Sequence, residues 1–577
     1  MTAAGPPYAP AQLARLLGVP EPTPEQASVI GAPPGPLAVI AGAGSGKSET
    51  MAARLVWLVA NGLVRPERVL GLTFTRKAAA ELGERVRGRL DGLRRAGIEI
   101  PGAGTPGDQL QGDPVIATYH AYAGRLVGDH ALREAVEPSI RLITPAVAWQ
   151  LAARVVAAYD GPMDAISWTP STVTAAVLEL SAELAEHLRR PADVLGVGEW
   201  LAARADETMA AGRRGTQQRG VLAAPAGKIL GCQRVREQML PLVAAYRSAK
   251  AAREIMDYGD QMALAARIAQ RHPEVGAAER GRYHVVLLDE YQDTSHAQLV
   301  LLRALFAGGH PVTAVGDPCQ SIYGWRGASA GNLRRFGTDF PARHGAPAPT
   351  ALLSTSFRNT GRVLDAAAAI QEGLRAAAPE VPRLVAPEQR AGRGTVVCAL
   401  LDTAADEAGW IADQIAELIR TPPGIAPDGG TWPDGRRDRR VRPSDIAVLC
   451  RKRAQFPALR AALEARGVPV EVVGLGGLLT VPEVQDVVAT LRVMHDPTAA
   501  DALARLLTSP RWRIGPRDLV ALGRRSRALV RSAAVTARPA GQQPAPADAL
   551  PPVPAPDVMQ QAVTDLTADP GSLVEAL

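Results

Sequence analysis

Six short apolar runs recur along the chain, and each gives way to small, polar or charged residues. They cover 37–40, 69–72, 115–117, 285–288, 312–315 and 351–353. The groups that follow them are, in order, the glycine-rich stretch 41–48, Thr73-Phe74-Thr75, Thr118-Tyr119-His120, Asp289-Glu290, Gly316-Asp317 and Ser354-Thr355-Ser356-Phe357-Arg358. Unbroken apolar runs of this length predict strands buried on both faces. Polar groups at their carboxyl ends predict an open parallel α/β sheet with ligands along that edge. Between about 130 and 280 the pattern changes to long Ala/Leu/Glu/Arg stretches, such as 173–190 and 234–255, broken by Pro and Gly. This predicts a helical insertion within the first sheet domain. A second α/β unit is expected from near 350, with strands at 394–401, 446–450 and 470–473 and an amphipathic helix near 456–466. Loops are expected at 100–114 and 421–443, and an extended Ala/Pro-rich segment at 532–557. No internal repeat is visible.

Length and composition narrow the class. A chain of 577 residues is long enough for about three or four domains. Its 47% hydrophobic and 21% charged content is that of a globular chain. The net charge of +6 permits a polyanionic partner without requiring one. The basic residues are almost all arginine, which suits bidentate phosphate contacts and equally fits a genomic bias towards Arg and Ala codons. Cys232, Cys319, Cys398 and Cys450 lie far apart, which argues against a disulfide framework or a zinc site. The first ten residues lack a signal peptide's basic start and apolar core, and no run is long enough to span a bilayer. A cytoplasmic protein without membrane association is expected.

The chemistry starts at Ala41-Gly42-Ala43-Gly44-Ser45-Gly46-Lys47-Ser48. An apolar strand, a glycine-rich turn and a helix-compatible run make a phosphate-binding loop. Its backbone N–H groups close around the β-phosphate, Lys47 reaches the β/γ-phosphates, and Ser48 can ligate Mg²⁺. The chain has only five lysines, at 47, 77, 228, 250 and 452, so one at this position carries weight. Ala41 stands where the pattern usually has Gly. Asp289 and Glu290 emerge at the end of a buried strand, the Asp suited to hold Mg²⁺ and the Glu to accept a proton from attacking water. Gln320 can orient that water, Arg358 can act as an arginine finger, and Phe357 offers a face to a nucleobase. Tyr323, Trp325 and Arg326 form an aromatic and basic cluster in a chain with 4% aromatic residues, suited to stacking on unpaired bases. Phe74, Thr118 and His120 end neighbouring strands and could line the same single-strand track. ATP and Mg²⁺ are the expected cofactors.

Together these residues resemble the UvrD/Rep/PcrA family of superfamily 1 DNA helicases. The resemblance rests on Thr23-Pro24-Glu25-Gln26 (the adenine-reading Q motif), 41–48 and Thr73-Phe74-Thr75-Arg76-Lys77-Ala78-Ala79-Ala80-Glu81. It continues through Thr118-Tyr119-His120, Asp257-Tyr258-Gly259-Asp260, Asp289-Glu290-Tyr291-Gln292-Asp293, 316–327 and Ser356-Phe357-Arg358-Asn359, in family order over roughly 20–520. The segment 472–484 also resembles the motor of actinobacterial AdnB-type helicase–nuclease subunits. The fold this implies is α/β: P-loop, RecA-like parallel-sheet motor domains with helical insertions. The implied layout is 1–128 and 256–345 for the first motor domain and 129–255 for its insertion. Residues 346–480 would open the second motor domain, and 481–577 part of its own insertion.

The resemblance implies 3′ to 5′ translocation on single-stranded DNA in repair and recombination. Lys47 and Ser48 would grip phosphate and Mg²⁺, with Asp289 as metal ligand, Glu290 as base and Gln320 coupling hydrolysis to movement. Gln26, the loop residues Ala41, Gly42, Ala43, Gly44, Ser45 and Gly46, Arg85 and Phe357 would contact nucleotide. Phe74, Thr118, His120, Tyr323, Trp325 and Arg326 would handle DNA. Single-stranded DNA and duplex junctions are the implied partners, with a helicase–nuclease subunit as a further one. Departures from the family are Arg76 for Asn and Gly259 for an acidic residue. Nothing after 480 resembles the family's two closing motifs, so a product truncated inside the second insertion is expected. Two alternatives stand beside the motor: an ATP- and DNA-binding protein that turns over poorly, and a metabolic or signalling P-loop ATPase, against which Tyr323 and Trp325 argue.

Overall fold

The computed structural model describes residues 7–98, 112–211, 219–324, 327–378, 380–421, 440–473, 479 and 481–536, without the side chains of 206–226, 377 and 530–536. The predicted loops at 100–114 and 421–443 lie largely outside these residues, as do 537–577. Two compact units divide the chain, the first built mainly from residues up to 399 and the second from 400–421 and the residues after 440.

The first unit opens with α1 (Pro10–Leu16) and α2 (Pro24–Ile30), then β1 (Leu37–Ala41), α3 (Lys47–Ala60), β2 (Val69–Thr73), α4 (Arg76–Arg95), β3 (Val115–Thr118) and α5 (Tyr119–His130). A short strand, β4 (Arg141–Leu142), leads into α6 (Pro145–Ala157), α7 (Pro170–Glu186), α8 (Pro191–Ala211) and α9 (Arg219–Ala251), and β5 (Ile255–Met256) returns the chain. There follow α10 (Tyr258–Arg271), α11 (Pro273–Arg282), β6 (Val285–Leu288), α12 (His296–Phe306), β7 (Val312–Gly316), α13 (Gly331–Asp339), β8 (Thr350–Leu353), α14 (Gly361–Ile370) and α15 (Glu372–Ala377).

Six strands form one parallel sheet in the order β3-β2-β6-β7-β1-β8. Their side chains alternate between two cores, as the two-residue period of a strand requires. Ala38, Ile40, Leu70, Leu72, Val286 and Leu288 face a cluster with residues of α5, α10 and α12. Leu37, Val39, Val69, Val285 and Leu287 face the opposite cluster with α3 and α4. Each fully buried aliphatic side chain contributes about 1.5–3 kcal/mol, so the four fully buried runs, β1, β2, β6 and β7, account for much of what holds the sheet.

All six strands predicted along the ligand edge are present. β8 differs in its place: it was expected to open a second sheet, and instead it pairs with β1, Ala38 opposite Thr350 and Ala41 opposite Leu353. An apolar strand can add to whichever edge is open, and its sequence carries no label for which. The predicted helical insertion is α6–α9, with its own core of Leu151, Val177, Leu180, Leu242, Val243 and Tyr246.

The second unit contains α16 (Ala404–Arg420), α17 (Phe456–Glu464), α18 (Pro482–His495), α19 (Ala500–Thr508) and α20 (Pro516–Thr536). Ala412 and Ile415 of α16 pack with Leu463 of α17, the predicted amphipathic helix. Leu503, Leu507 and Leu519 make a second small core. The strands expected at 394–401, 446–450 and 470–473 join no sheet among the described residues. A strand needs a hydrogen-bonding neighbour, and none is described beside them. Leu400 and Leu449 are accordingly 99% and 95% exposed.

Candidate active site and adjoining groove

The glycine-rich turn leaves β1 and ends at the N-terminus of α3. Gly44 and Gly46 hold φ of 77° and 80°, backbone that only glycine adopts cheaply. Lys47 is the first residue of α3, so its side chain and the helix's free N–H groups face the same point. Ser48 follows it, half-buried. Ala41 is the last residue of β1, wholly buried in the core, so only its backbone borders the turn.

Opposite this turn stands the end of β6. Asp289 is 5% exposed, and burial together with the adjacent Glu290 pushes its carboxyl up to about 6. Its Oδ1 accepts from the Glu290 N–H at 3.0 Å, and its carbonyl accepts from the Tyr119 hydroxyl at 3.1 Å. Glu290 has φ of 50°, left-handed backbone that costs a non-glycine residue about 1–3 kcal/mol. The Lys47 ammonium donates to its Oε2 at 3.2 Å. Phosphate loop and acidic pair, 243 residues apart, thus meet directly.

The third element is the loop 354–360 after β8. The Phe357 N–H donates to the Gly44 carbonyl at 2.8 Å, and the Ser356 hydroxyl donates to the Ala43 carbonyl at 2.8 Å. A Cβ on Gly44 would stand 2.6 Å from the Arg358 Cβ, so the loop sits directly on the turn. Phe357 and Arg358 are both exposed.

Gln26 is buried, its amide donating to the Ser45 carbonyl at 3.1 Å while its Oε1 accepts from the Thr23 N–H. Arg85 lies 3.9 Å from Glu49 in the first turn of α3, and Arg89 bonds the same carboxylate. Gln320 donates to Asp317 Oδ2 at 2.7 Å, so its carboxamide is turned to its own loop.

A groove of about 990 Å³ runs beside this site, lined by Phe74, Thr118, His120, Tyr258 and Tyr323. Phe74 packs on Tyr119 at 5.0 Å between ring centroids, and His120 meets Tyr258 edge-on at 5.6 Å. Thr118 also caps α5, accepting from the Ala121 N–H at 3.1 Å. The α7 side of the groove carries Glu179, Glu183 and Glu186. Gly259 allows that approach, since a Cβ there would lie 3.3 Å from the Ala185 Cβ of α7. Trp325 and Arg326 lie outside the described residues.

Two known helicase domains match the chain. The UvrD/REP helicase N-terminal domain matches residues 22–341, and the UvrD-like helicase C-terminal domain matches 352–533. The chain belongs to the UvrD/REP helicase family.

Relatives of this family member include an ATP-dependent DNA helicase PcrA of Leuconostoc citreum, 26% identical over 86% of this chain and 56% of the relative. UvrD1 of Mycobacterium leprae is 28% identical over 84% of this chain and 53% of its own length. DNA helicase II of Escherichia coli is 25% identical over 87% and 58%. The chain spans about half the length of the curated relatives it matches.

Three residues of this UvrD/REP-type site had no role assigned from sequence. Glu25 accepts from the Ser354 N–H at 2.8 Å and the Ser354 hydroxyl at 2.5 Å, fixing the loop of Arg358 to the segment of Gln26. Buried Arg54 donates to the carbonyls of Val29, Ile30, Ala32 and Pro33 and to the Thr313 hydroxyl, joining α2, α3 and β7. Burial lowers its pKa to about 10, so it stays charged at neutral pH. Gln292 touches Glu290, Asp293 and Asp317. Glu25 and Gln292 lay inside matched segments; nothing in the sequence around Arg54 marks it.

Proposed function

We propose that this chain carries the ATP-driven motor of a DNA helicase that translocates 3′ to 5′ on single-stranded DNA in repair and recombination. The observation that carries the reading is the convergence of Lys47, Glu290 and the loop of Arg358 on one glycine turn. The names of the relatives, all DNA helicases, support the same reading.

In this mechanism Lys47 leaves Glu290 to grip the β- and γ-phosphates, and the freed carboxylate takes a proton from water. The water oxygen bonds the γ-phosphorus as the bond to the β-phosphate oxygen breaks, giving ADP and phosphate. Arg358 offsets the charge that grows on the transferred group, a role worth about 10³–10⁵ in rate where it has been measured. Gln26 and Phe357 hold the adenine, Arg85 assists at the nucleotide, and Gln320 links hydrolysis to the loop of Tyr323. Mg²⁺, held through Ser48 and Asp289, would neutralise the phosphates. The residues fit it: a hydroxyl and a buried carboxylate with one lysine nearby leave negative charge for a cation to offset. Among the described residues no group of three or more His, Cys, Asp or Glu forms a cage, as Mg²⁺ prefers to keep waters and phosphate ligands.

Phe74, His120, Tyr323, Trp325 and Arg326 would carry the single strand, with Thr118 at its side. Residues 1–128 and 256–345, with β8, are read as the first motor lobe, 129–255 as its insertion, the rest of 346–480 as the start of the second lobe and 481–577 as part of a second insertion. ATP and Mg²⁺ are the cofactors, and single strands and duplex junctions the substrates. The likeness of 472–484 to AdnB-type motors supports a helicase–nuclease subunit as partner. No described helix is long and apolar enough to cross a membrane, which is compatible with cytoplasmic action.

The polarity test is displacement of streptavidin from end-biotinylated single strands. ATP-dependent loss from the 5′ end alone is expected, and loss from the 3′ end alone refutes the direction. Arg358→Ala should lower kcat by about 10³ while nucleotide binding, read by a fluorescent analogue, changes far less. Equal loss of both would remove the finger role.

A further inference from the structure

We propose that Gln292 is the positioning residue through which the groove controls Glu290, so that DNA-stimulated hydrolysis depends on its carboxamide. The inference rests on the motor reading above.

Gln292 is 1% exposed, at the heart of the site. Its Oε1 accepts the Asp317 backbone N–H at 3.0 Å, a bond that only the oxygen of the amide can make. That fixes which way the amide faces. Its Nε2 then donates to Glu290 Oε2 at 2.9 Å and to Asp293 Oδ2 at 3.2 Å. All three side-chain contacts agree on one orientation, and no rotation of the amide satisfies them otherwise.

Two structural consequences follow. When phosphate draws Lys47 away, Gln292 stays as a donor on Oε2, leaving Oε1 to face water. At its other end the same amide is bonded to Asp317, whose loop carries Gln320 and runs on to Tyr323. The Ser321 hydroxyl donates to the Gln292 backbone carbonyl at 3.3 Å, a second tie to the same loop. A Cβ on Gly316 would stand 2.5 Å from Gln292 Oε1, so only glycine at the end of β7 leaves the amide its place. A base stacking on Tyr323 that shifts this loop must therefore shift the donor on Glu290. Coupling between sites is carried by chains of packed side chains and hydrogen bonds of this kind.

The experiment is steady-state ATP hydrolysis by the full chain with and without a saturating single-stranded oligonucleotide. Gln292→Met keeps the length of the side chain and removes its donors and acceptor. We expect kcat to fall in both conditions and further with DNA, so that stimulation drops from at least about tenfold to below about twofold. The KM for ATP should stay within about threefold, the pattern of an interaction made only in the transition state. Gln292→Glu retains the acceptor for Asp317 and loses both donors, and it should show the same collapse if the Met variant misfolds. In a Glu290→Gln background, adding Gln292→Met should cost little more, because the two act as one unit.

Undiminished stimulation in both variants, a KM that rises in step with the loss of kcat, or losses that multiply in the double variant would each overturn the inference. A wild-type chain whose turnover DNA does not stimulate would instead sink the motor reading beneath it.

Discussion

Glu290 and Arg54 show two ways in which single residues carry this structure. Glu290 sits in strained left-handed backbone with its carboxylate held between Lys47 and Gln292. The strain is tolerated because the neighbours over-determine the position, as is common where chemistry is done. Lys47→Ala should therefore abolish hydrolysis, by at least about 100-fold, yet leave oligonucleotide affinity within about twofold. Fluorescence anisotropy beside a coupled ATPase assay decides it; equal loss of both contradicts the assigned roles. Among the described residues Arg54 has no carboxylate partner, and it donates to five oxygens. Arg54→Met should destabilise the first unit by roughly 1–3 kcal/mol or more, since buried carbonyls lose their donor; an unchanged denaturation midpoint would show that water replaces it. Lys47, Asp289 and Arg358 were legible in the sequence because each follows an apolar run that had to be a strand. Gln292 and Arg54 were not: the oxygens Arg54 serves lie 21–25 residues away, or 259 for Thr313, and the tie that orients Gln292 comes from Asp317, 25 residues on.

Elements that alternate between two cores were the easiest to read, and their edges the hardest. Four of the six runs, β1, β2, β6 and β7, fix strands through burial on both faces, whereas half-buried β3, β8 and the unpaired 394–401, 446–450 and 470–473 depend on which neighbour is available. Element-scale electrostatics makes two predictions. Glu179, Glu183 and Glu186 share one face of α7 and line the groove. If a single strand lies there, their charge repels its phosphates, so the triple Gln variant should bind oligonucleotide more tightly, most clearly at low salt. Unchanged or weaker binding at low salt would move the strand elsewhere.

The second concerns His310, between α12 and β7, stacked on Phe306 with ring centroids 5.4 Å apart. Burial lowers its pKa from 6.5 to about 4. The folded state thus refuses a proton that the unfolded chain takes up below 6.5, so stability falls as pH drops from 6.5 towards 4. His310→Asn should flatten that part of the stability curve relative to wild type; parallel curves at pH 4.5 and 7 would refute it.

At the scale of the molecule, two compact units divide the chain, and the phosphate loop, the acidic pair and the loop of Arg358 all belong to the first. The core of the site is thus carried by one body. The UvrD/REP family assignment rests on the matches over 22–341 and 352–533, and the structure adds the spatial meeting of the phosphate loop, the acidic pair and the loop of Arg358. What composition could not show was the acidic wall of the groove, because a net charge of +6 says nothing of where the charges lie.

In the motor proposed above, a nucleotide at Lys47 and a single strand at Tyr323 act on one another. The most direct measurement of this coupling is ATP turnover against oligonucleotide concentration, for wild type and Tyr323→Ala. Saturable stimulation of at least about tenfold is expected, with the half-maximal concentration raised about tenfold in the variant by the loss of one stacked base. Turnover indifferent to DNA, or stimulation identical in the two proteins, would contradict the account.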